Sequence, residues 1–385
     1  MRRRIVIAPD SFKGTLSARD AALAIAQGWQ AEWPEDELLL VPQADGGEGT
    51  LDAIAEAAPG AQWRSTRVAG PTGVPHDARW LMLPDHHAVV ELAECCGITL
   101  LPHGADGEPV PAPLAATSRG VGEAVAAALD SGAQHITLAL GGSASTDGGL
   151  GALSALGLRL LDASSHTLPE GGGALVRLAA INPTLMRAAP PLGMTLLTDT
   201  SAELTGPRGA AAVFGPQKGA SAEQVALLES GLARAVAIAG GDEHHRPGSG
   251  AAGGTAWGFA RYWRASIRSG ADAIAVLTGL DAALEGADFV ITGEGRFDAT
   301  SLAGKVVGGV VERASVAGVP LAIVAGQCDL TPDAEPFGLG LVLTLAALAG
   351  SPDAAVDEPN RWLVAAGAQL ARSFAPYRGE SSASM

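Results

Sequence analysis

The sequence predicts an α/β protein, because short apolar and β-branched runs alternate along the chain with alanine-rich runs typical of helices. Several short runs are continuously apolar, as expected for strands buried on both faces of a parallel sheet. Hydrophobic residues make up 47% of the chain and charged residues 17%, which allows packed cores and excludes a largely disordered chain. The length of 385 residues allows two to three domains of about 150 residues each.

The predicted strands are the apolar runs, and the predicted helices begin at capping signals or follow alanine and valine spacing. The strands are Arg4–Ala8, Leu38–Pro42, Ala88–Leu92, Ile136–Leu140, Met194–Thr198, Phe289–Thr292, Leu321–Ala325 and Leu341–Leu345. The helices run from Ser17 to about Trp33, from the capping box Ser221-Ala222-Glu223-Gln224 to about Ala239, over Val121–Leu129 and over Leu302–Val316. Their alternation implies right-handed crossovers.

The two ends of the chain contain strand and loop pairs of similar character. This similarity predicts a discontinuous domain, residues 1–65 and 286–385, that is Rossmann- or flavodoxin-like with a mostly parallel sheet. Residues 66–285 are then an inserted second α/β domain. The mostly polar residues after Tyr377 are predicted to form a frayed tail.

The charge balance is acidic, with 25 Lys and Arg against 41 Asp and Glu and a formal net charge of −16. Nucleic-acid and anionic-membrane binding need basic surfaces, so neither is predicted as a partner. The apolar run after Met1-Arg2-Arg3-Arg4 is too short for a signal peptide, and three cysteines make no disulfide framework. We therefore expect a cytoplasmic protein that binds small molecules, as a monomer or a homodimer.

Glycines and carboxylates recur directly after the predicted strands. These loops are residues 10–14, 45–50, 141–149, 199–201 and 293–298. In doubly wound sheets ligands bind beyond the carboxyl ends of the strands, and glycine lets backbone N–H groups approach a phosphate. Carboxylates beside phosphates indicate Mg²⁺. The pattern predicts a phosphate and metal site, with ordinary structural turns as the alternative.

The lysines add a second signal, since the chain has only Lys13, Lys218 and Lys305 and each adjoins a glycine. A lysine ammonium is a compact point charge that suits phosphate. We favour a role in phosphate binding for Lys13 and, less strongly, for the other two. The alternative is that all three are ordinary surface lysines.

Two known motifs are incomplete in this sequence, and a third stands in an unfavourable context. Gly304-Lys305-Val306 lacks the Ser or Thr and the upstream glycine of a Walker A loop. Gly248–Gly253 matches G-x-G-x-x-G, but it follows a polar loop, so it is predicted to be a turn that opens a helix. Ser143 lies in no G-x-S-x-G elbow.

Taken in order, the loops resemble the motifs of the type I glycerate kinase family. The matching segments are Ile5–Gly14, Ala44–Thr50, Gly141–Ala144, Asp147–Gly149, Val213–Ala220, Thr292–Arg296 and Ser301–Lys305. The resemblance implies ATP-dependent phosphorylation of D-glycerate, typically on the 2-hydroxyl to give 2-phosphoglycerate, with Mg²⁺. It also implies two α/β domains with the active site in the cleft between them.

The chain departs from the family pattern at a few positions. Ala202-Glu203-Leu204 replaces a stretch that usually ends in Asn-Pro-Leu, and Thr146, Arg119 and Thr300 replace a frequent Asn, Tyr and Gln. Arg119 raises the hypothesis of a longer or more anionic hydroxy acid as substrate. The alternatives are a kinase for a related hydroxy acid, a dehydrogenase that uses Gly248–Gly253, and a non-catalytic metabolite-binding homologue.

The resemblance and the loop chemistry together predict the following roles. Catalytic residues are Lys13, Asp45 and Asp199, and one of the two aspartates accepts the hydroxyl proton. Nucleotide-binding residues are Gly141, Gly142, Ser143, Lys218, Gly293 and Glu294. Substrate-binding residues are Ser11, Arg296 and Asp298. Metal ligands are Asp45, Glu48 and Asp199. Arg296 either grips the substrate carboxylate or forms a salt bridge with Glu294 or Asp298.

Overall fold

The computed structural model describes residues 2–105, 107–302, 305–330 and 341–374. They form two compact units. The first comprises the described residues within Met1–Asp45, Asp52–Pro59 and Ala271–Met385, and the second comprises those within Gly46–Leu51 and Gly60–Gly270. Among the described helices, none has both the length and the apolar character needed to cross a bilayer.

Helices and strands alternate along the described chain, which confirms the α/β class. The strands are β1 Arg4–Ile7, β2 Glu37–Leu40, β3 Gln62–Ala69, β4 Pro75–Met82, β5 His87–Glu91, β6 His135–Ala139, β7 Arg159–Leu161, β8 Ala180–Asn182, β9 Met194–Leu197, β10 Ser266–Arg268, β11 Phe289–Phe297, β12 Leu321–Cys328 and β13 Leu341–Thr344. The helices are α1 Ala18–Glu32, α2 Thr50–Ala57, α3 Leu92–Cys96, α4 Arg119–Asp130, α5 Leu150–Ala155, α6 Ala210–Phe214, α7 Ala222–Ala239, α8 Ala251–Trp263, α9 Gly270–Leu277, α10 Leu280–Leu284, α11 Val306–Ala317, α12 Leu345–Ala349, α13 Pro352–Asp357 and α14 Pro359–Phe374.

The first unit contains a five-stranded parallel sheet in the order β13-β12-β11-β1-β2. One face packs on α1 and α14, with Ile25 and Leu363 in the shared core. The other face packs on α10 and α11, with Leu284 and Val310 in the core. Burial of both faces explains why the predicted strands of this sheet are continuously apolar.

Helices α1 and α14 approach each other through glycine. A Cβ at Gly28 would lie 1.9 Å from the carbonyl oxygen of Val364, and a Cβ at Gly367 would lie 2.1 Å from that of Ile25. Neither position accommodates a side chain, so these glycines permit the backbone contact that closes this side of the core.

The second unit contains a six-stranded mixed sheet in the order β10-β9-β6-β5-β4-β3 and the separate antiparallel ribbon β7-β8. Strands β5, β6, β9 and β10 are parallel, whereas β3 and β4 are antiparallel additions at one edge. Most residues of β3 are exposed, which removes the apolar run on which the strand predictions depended. Strand β3 was accordingly not predicted, and neither were β4 and the three-residue strands β7, β8 and β10.

All the predicted strands are present, and helix α7 has the predicted capping box between Ser221 and Gln224. Gly248–Gly253 forms the turn and the first residues of α8, as predicted. The element directly before it is a 3₁₀ turn and not a strand. The predicted start of α11 at Leu302 is wrong, because the helix begins at Val306. Ala303 and Gly304 and the predicted frayed tail lie outside the described residues. The division into residues 1–65 with 286–385 and residues 66–285 stays a prediction.

Candidate functional site

The first unit contains a cavity of about 430 Å³ beside the loops that follow β1 and β2 and beside the end of β11. It brings together many of the residues predicted from the sequence. Those that line it are Ser11, Lys13, Asp45, Glu294, Arg296 and Asp298, and they are joined by Asp10 and Lys305. The loops converge because β1 is the direct neighbour of both β2 and β11 in a parallel sheet.

Gly293 allows the backbone to close around this cavity. Its carbonyl accepts a hydrogen bond from the Asp10 N–H at 2.8 Å, which places Asp10 at the end of β1. A Cβ at Gly293 would lie 2.0 Å from the carbonyl oxygen of Val324 on the neighbouring strand. Gly293 therefore has a structural reason to be glycine, and its predicted contact with the nucleotide is a separate proposal.

Three carboxylates surround one ammonium in this cavity. Nζ of Lys13 lies 3.6 Å from Oδ2 of Asp45, and this carboxylate is the main cause that raises the pKa of Lys13. Asp10 is only 9% exposed, and burial, reinforced by the charge of Asp45, raises its pKa to about 7. Burial also raises the pKa of Glu294. Within the described chain, Oε1 of Glu294 is buried without a hydrogen-bond partner.

These side chains fit a magnesium ion that arrives with a nucleotide. Among the described residues no group of three or more His, Cys, Asp or Glu forms a dedicated metal site. Mg²⁺ that accompanies a nucleotide is usually held by one or two carboxylates, phosphate oxygens and water, so a dedicated cage is not required. Asp45 and the unpartnered Oε1 of Glu294 provide carboxylate oxygens of this kind.

Arg296 lines the cavity, but its guanidinium already has a carboxylate partner. Nη2 lies 2.5 Å from Oδ2 of Asp329, and Nε donates to the same oxygen at 2.7 Å. Arg296 therefore forms a salt bridge, as the alternative predicted, but the predicted partners Glu294 and Asp298 are wrong. Asp298 instead accepts from the backbone N–H and the hydroxyl of Thr300, and these hydrogen bonds lower its pKa.

The second unit contains a separate cavity of about 380 Å³, lined by the predicted residues Gly141, Gly142, Ser143 and Lys218. The Gly141 N–H donates to the carbonyl of Gly46 at 3.2 Å. A Cβ at Gly141 would lie 2.2 Å from Cα of Gly47, so two of the predicted glycine loops touch through their backbones. This contact is possible only without a side chain at position 141.

Lys218 is buried in this second cavity, with a relative exposure of 5%. Nζ donates to the carbonyl oxygen of Ser145 at 2.5 Å, and within the described chain Lys218 forms no salt bridge. Burial lowers its pKa to about 8, while the nearby Cys96 and Asp147 act in the opposite direction. Among the described residues that line the cavity, none is acidic.

Asp199 and Glu48 belong to the second unit, and both are exposed. Oδ1 of Asp199 accepts from the Gly270 N–H at 2.9 Å and from the Ser269 hydroxyl at 3.3 Å. Asp199 is not among the residues that line the second cavity, although its neighbours Thr198 and Thr200 are. The predicted metal set is therefore divided, with Asp45 in the first unit and the other two residues in the second.

Two buried acids of the second unit were missed by the sequence-based predictions. Glu91 is 3% exposed, and its carboxylate accepts from the N–H groups of Gly49 and Leu51 at 3.2 and 3.1 Å. Asp147 is 1% exposed and accepts from the backbone N–H and the hydroxyl of Ser118, both at 2.9 Å. For Glu91 the available signal was an acid inside an apolar run, whereas Asp147 lies in the glycine-rich loop 141–149, which the sequence analysis singled out without giving Asp147 a role. Each fixes the loop that contains its donors.

Asp10 is the comparable omission in the first unit. It lies directly after β1 in a loop that the sequence singled out, yet only its neighbours Ser11 and Lys13 were predicted as site residues. The Asp10 N–H donates to the carbonyl of Gly293, which is distant in the chain, so the burial of the Asp10 carboxyl did not follow from the residues next to it in the sequence.

Arg119, which replaces a frequent Tyr of the family, does not line either cavity. Its Nε lies 2.8 Å from Oε1 of Glu123, and its Nη1 lies 2.7 Å from Oε1 of Glu170. Both ends of the guanidinium are thus occupied, which gives no support to a direct contact between Arg119 and a substrate.

Comparison with known proteins places these features in a family. The model of the glycerate kinase family matches residues 5–375. An uncharacterized protein of Synechocystis sp. is 45% identical over 363 residues, which cover 92% of this chain and 93% of that protein. The glycerate 2-kinase of Escherichia coli is 36% identical over 365 residues, which cover 91% and 93%. The crystal structure of a proposed glycerate kinase 2 from Salmonella typhimurium LT2 matches with a TM-score of 0.83 and 35% identity, covering 97% of this chain and 99% of that one. This chain therefore belongs to the glycerate kinase family of enzymes, a kinase family for which ATP is the implied phosphoryl donor.

Proposed function

We propose that this chain transfers the γ-phosphoryl group of ATP to the 2-hydroxyl of D-glycerate, giving 2-phosphoglycerate and ADP. The family membership supports a glycerate kinase, and the name of the Escherichia coli relative supports the 2-position. The observation that carries the proposal is the cavity of the first unit, where the ammonium of Lys13 lies 3.6 Å from Asp45 beside Asp10 and Glu294. This arrangement combines a cation for phosphate with carboxylates for a metal and a proton.

Phosphoryl transfer needs little covalent chemistry from the protein, because positioning and charge neutralisation provide most of the acceleration. In the proposed mechanism the ammonium of Lys13 neutralises negative charge on the transferred group. Asp45 or Asp199 accepts the proton that the substrate hydroxyl loses as its oxygen bonds to phosphorus. The bond between the β,γ-bridging oxygen and the γ-phosphorus breaks, and ADP leaves with that oxygen.

The magnesium ion is also part of the proposal. When bound, it neutralises charge on the phosphate oxygens and orients them. Asp45 would hold it from the first unit, and Glu48 and Asp199 are the further predicted ligands. The partnerless Oε1 of Glu294 supports a cation in the first cavity, since a buried carboxylate oxygen without a donor is costly to leave unmatched.

Further roles remain predictions. They are the nucleotide contacts of Gly293 and Glu294, the substrate contacts of Ser11, Arg296 and Asp298, an active site in a cleft between domains, a cytoplasmic location, and a monomeric or homodimeric state. The glycine loop 141–143 and Lys218 were predicted to bind nucleotide phosphates. Because none of the described residues that line their cavity is acidic, the carboxylate of the hydroxy acid is a second assignment for them.

The direct test is a coupled assay of ADP release with D-glycerate, ATP and Mg²⁺, followed by phosphorus NMR of the product. We expect ADP release that depends on D-glycerate and a phosphorus signal coupled to the proton on C2. A signal coupled to the C3 protons would overturn the 2-position alone. Turnover with longer aldonates but not with D-glycerate would replace the substrate and keep the reaction class.

A further inference from the structure

The cavity of the second unit has a lining that suits a small anion without a metal. Its polar lining consists of the glycine loop 141–143, the hydroxyls of Thr198 and Thr200, the amide of Gln217 and the ammonium of Lys218. None of the described residues that line it is acidic. A metal-bound triphosphate needs carboxylates nearby, whereas a carboxylate or a free phosphate is best held by a cation and neutral donors.

Lys218 is the centre of this cavity's charge. It is 5% exposed, and among the described residues its three donor hydrogens have one hydrogen-bond acceptor, the carbonyl of Ser145 at 2.5 Å. The nearby carboxylate of Asp147 is already occupied by Ser118, Gly149 and Gly151. Burying an ammonium without a salt bridge within the described chain costs free energy, and an anionic ligand would offset this cost by compensating the charge.

The other cations considered for the substrate already have carboxylate partners. Lys13, Arg296 and Arg119 each pair with an aspartate or a glutamate, and their side chains are between 39% and 77% exposed. A substrate carboxylate that bound to one of these would compete with an existing partner. At Lys218 it would compete only with water, because the carbonyl of Ser145 is neutral.

The cavity of the first unit has the opposite chemistry. Asp10, Asp45 and Glu294 line it together with Lys13, and one wall is apolar. The apolar residues of that wall are Leu345, Pro352, Ala355 and Val356. This combination suits a metal-bound nucleotide, whose base needs an apolar surface and whose metal needs carboxylate oxygens.

We propose that the second-unit cavity binds the carboxylate of the hydroxy acid substrate, held by the ammonium of Lys218 and the backbone of loop 141–143. The inference rests on the proposed function for the identity of that acid. It replaces the predicted role of Lys218 in nucleotide binding and moves the carboxylate from Arg296 to Lys218. A carboxylate and a phosphate are both small anions, so a phosphate group of a nucleotide is the other ligand that this cavity could bind without a metal.

Calorimetry on the full chain distinguishes the two sources, with D-glycerate and Mg·ADP titrated separately. Lys218→Met removes the charge and keeps most of the side-chain volume, and Arg159→Met, at an exposed cation of the second unit that lines neither cavity, is the control. We expect Lys218→Met to raise the Kd of D-glycerate at least ~10-fold, the scale of one lost charged hydrogen bond, and to change that of Mg·ADP less than twofold. Arg159→Met leaves both Kd values unchanged. Loss of Mg·ADP binding with D-glycerate retained, or no change in either, would overturn the inference.

A second pair of variants covers the case in which the buried substitution prevents folding. Gln217 lines the cavity but is exposed, so Gln217→Glu and Gln217→Lys preserve the core. We expect Gln217→Glu to weaken D-glycerate binding and Gln217→Lys to strengthen it, each by about two- to fivefold, as for a partly exposed charge pair. Equal affinities in the two variants contradict the inference.

Competition with glycerol tests the carboxylate site, and the assay of phosphorylation separates this site from the proposed function. Glycerol has the hydroxyls of glycerate but no carboxylate, so it should fail to displace D-glycerate. If D-glycerate binds and needs Lys218 but is not phosphorylated, the carboxylate site stands and the proposed reaction fails. If it is phosphorylated while Lys218→Met leaves its Kd unchanged, the reaction stands and the carboxylate site fails.

Discussion

Nζ of Lys13 lies 3.6 Å from Oδ2 of Asp45, which joins the loops that follow two neighbouring parallel strands. The register that pairs Ile7 with Leu40 sends both chains out at the same edge of the sheet, so the two side chains meet. The partner carboxylate raises the pKa of Lys13, which keeps the ammonium charged at neutral pH. A permanent positive charge held beside carboxylates is what a phosphoryl-transfer site requires.

Replacing Lys13 should abolish most of the catalysis. Lys13→Met removes the charge proposed to neutralise the transferred phosphoryl group, so kcat should fall at least ~100-fold, the scale of one lost stabilising contact. Steady-state ADP release measures this. Arg19→Ala is the control, since Arg19 forms a surface pair with Glu56 in the same unit and is not among the residues that line either cavity, so its loss should change kcat less than twofold. Near-normal turnover of Lys13→Met removes Lys13 from the mechanism.

Asp199→Asn separates chemistry from local structure. The asparagine keeps a side-chain oxygen that can accept from the Gly270 N–H, so the thermal midpoint should stay within about 2 °C of the wild type. If Asp199 accepts the proton or binds the metal, kcat should fall at least ~100-fold. A normal kcat combined with a lower midpoint would instead assign Asp199 to the loop alone.

Asp10 should make stability depend on pH in the metal-free protein. Its pKa is about 7 in the folded state and 3.8 ordinarily, so the folded state binds the proton more tightly. The stability that this provides is complete below about pH 4, declines as pH rises towards 7, and is lost above 7. Asp10→Asn lacks this decline. The free energy of unfolding of Asp10→Asn minus that of the wild type should therefore rise by a few kcal/mol between pH 4 and pH 7, on the order of 1.4 kcal/mol per pKa unit. Urea titrations at each pH measure this difference. A constant difference would contradict the buried carboxyl.

Two glycines of the first unit should respond with opposite signs. Gly293→Ala places a Cβ against the backbone of β12, 2.0 Å from a carbonyl oxygen, so we expect a loss of about 1–3 kcal/mol in the free energy of unfolding. Gly309→Ala lies in helix α11, and its nearest contact is the flexible guanidinium of Arg313 at 3.3 Å. Better helix propensity should stabilise that variant by about 0.5–1 kcal/mol. Denaturant unfolding of both variants checks the pair, and equal effects would contradict the strand contact.

The burial of Lys218 predicts a pH effect on substrate affinity. Its pKa is lowered to about 8, so the free protein loses the ammonium as pH rises above that value. The KM for D-glycerate should therefore rise above about pH 8 if Lys218 holds the carboxylate. Asp147 and Cys96 are the titratable groups that act on Lys218, and burial keeps both neutral to higher pH than usual. A KM that stays flat from pH 7 to pH 9.5, with a KM for ATP that rises instead, would support a phosphate ligand.

Much of the architecture was predictable because its signals are local. The continuous apolar runs of β1, β11 and β12 identify strands buried on two faces, and the capping box at Ser221 marks the first residue of a long helix. The order of glycine and carboxylate loops also identified the family. The edge strand β3 was missed because most of its side chains face solvent and leave no apolar run.

The partners of individual side chains were not predictable in the same way. Arg296 pairs with Asp329 and not with its near neighbours. The carboxylate of Glu91 accepts from the N–H groups of Gly49 and Leu51, which come before strands β3 and β4 in the chain. Such contacts depend on which loops the sheet order brings together.

The sequence by itself determined the alternation of strands and helices, the loops that carry chemistry and the family, because each of these depends on residue type and short-range spacing. Only the tertiary structure decided that Asp10 and Lys218 are buried, that Oε1 of Glu294 has no donor within the described chain, and that one cavity has acidic lining residues while the other has none. Burial and much of the surrounding charge are set by atoms from distant segments, so the proton affinity of these side chains does not follow from residue type and short-range spacing alone.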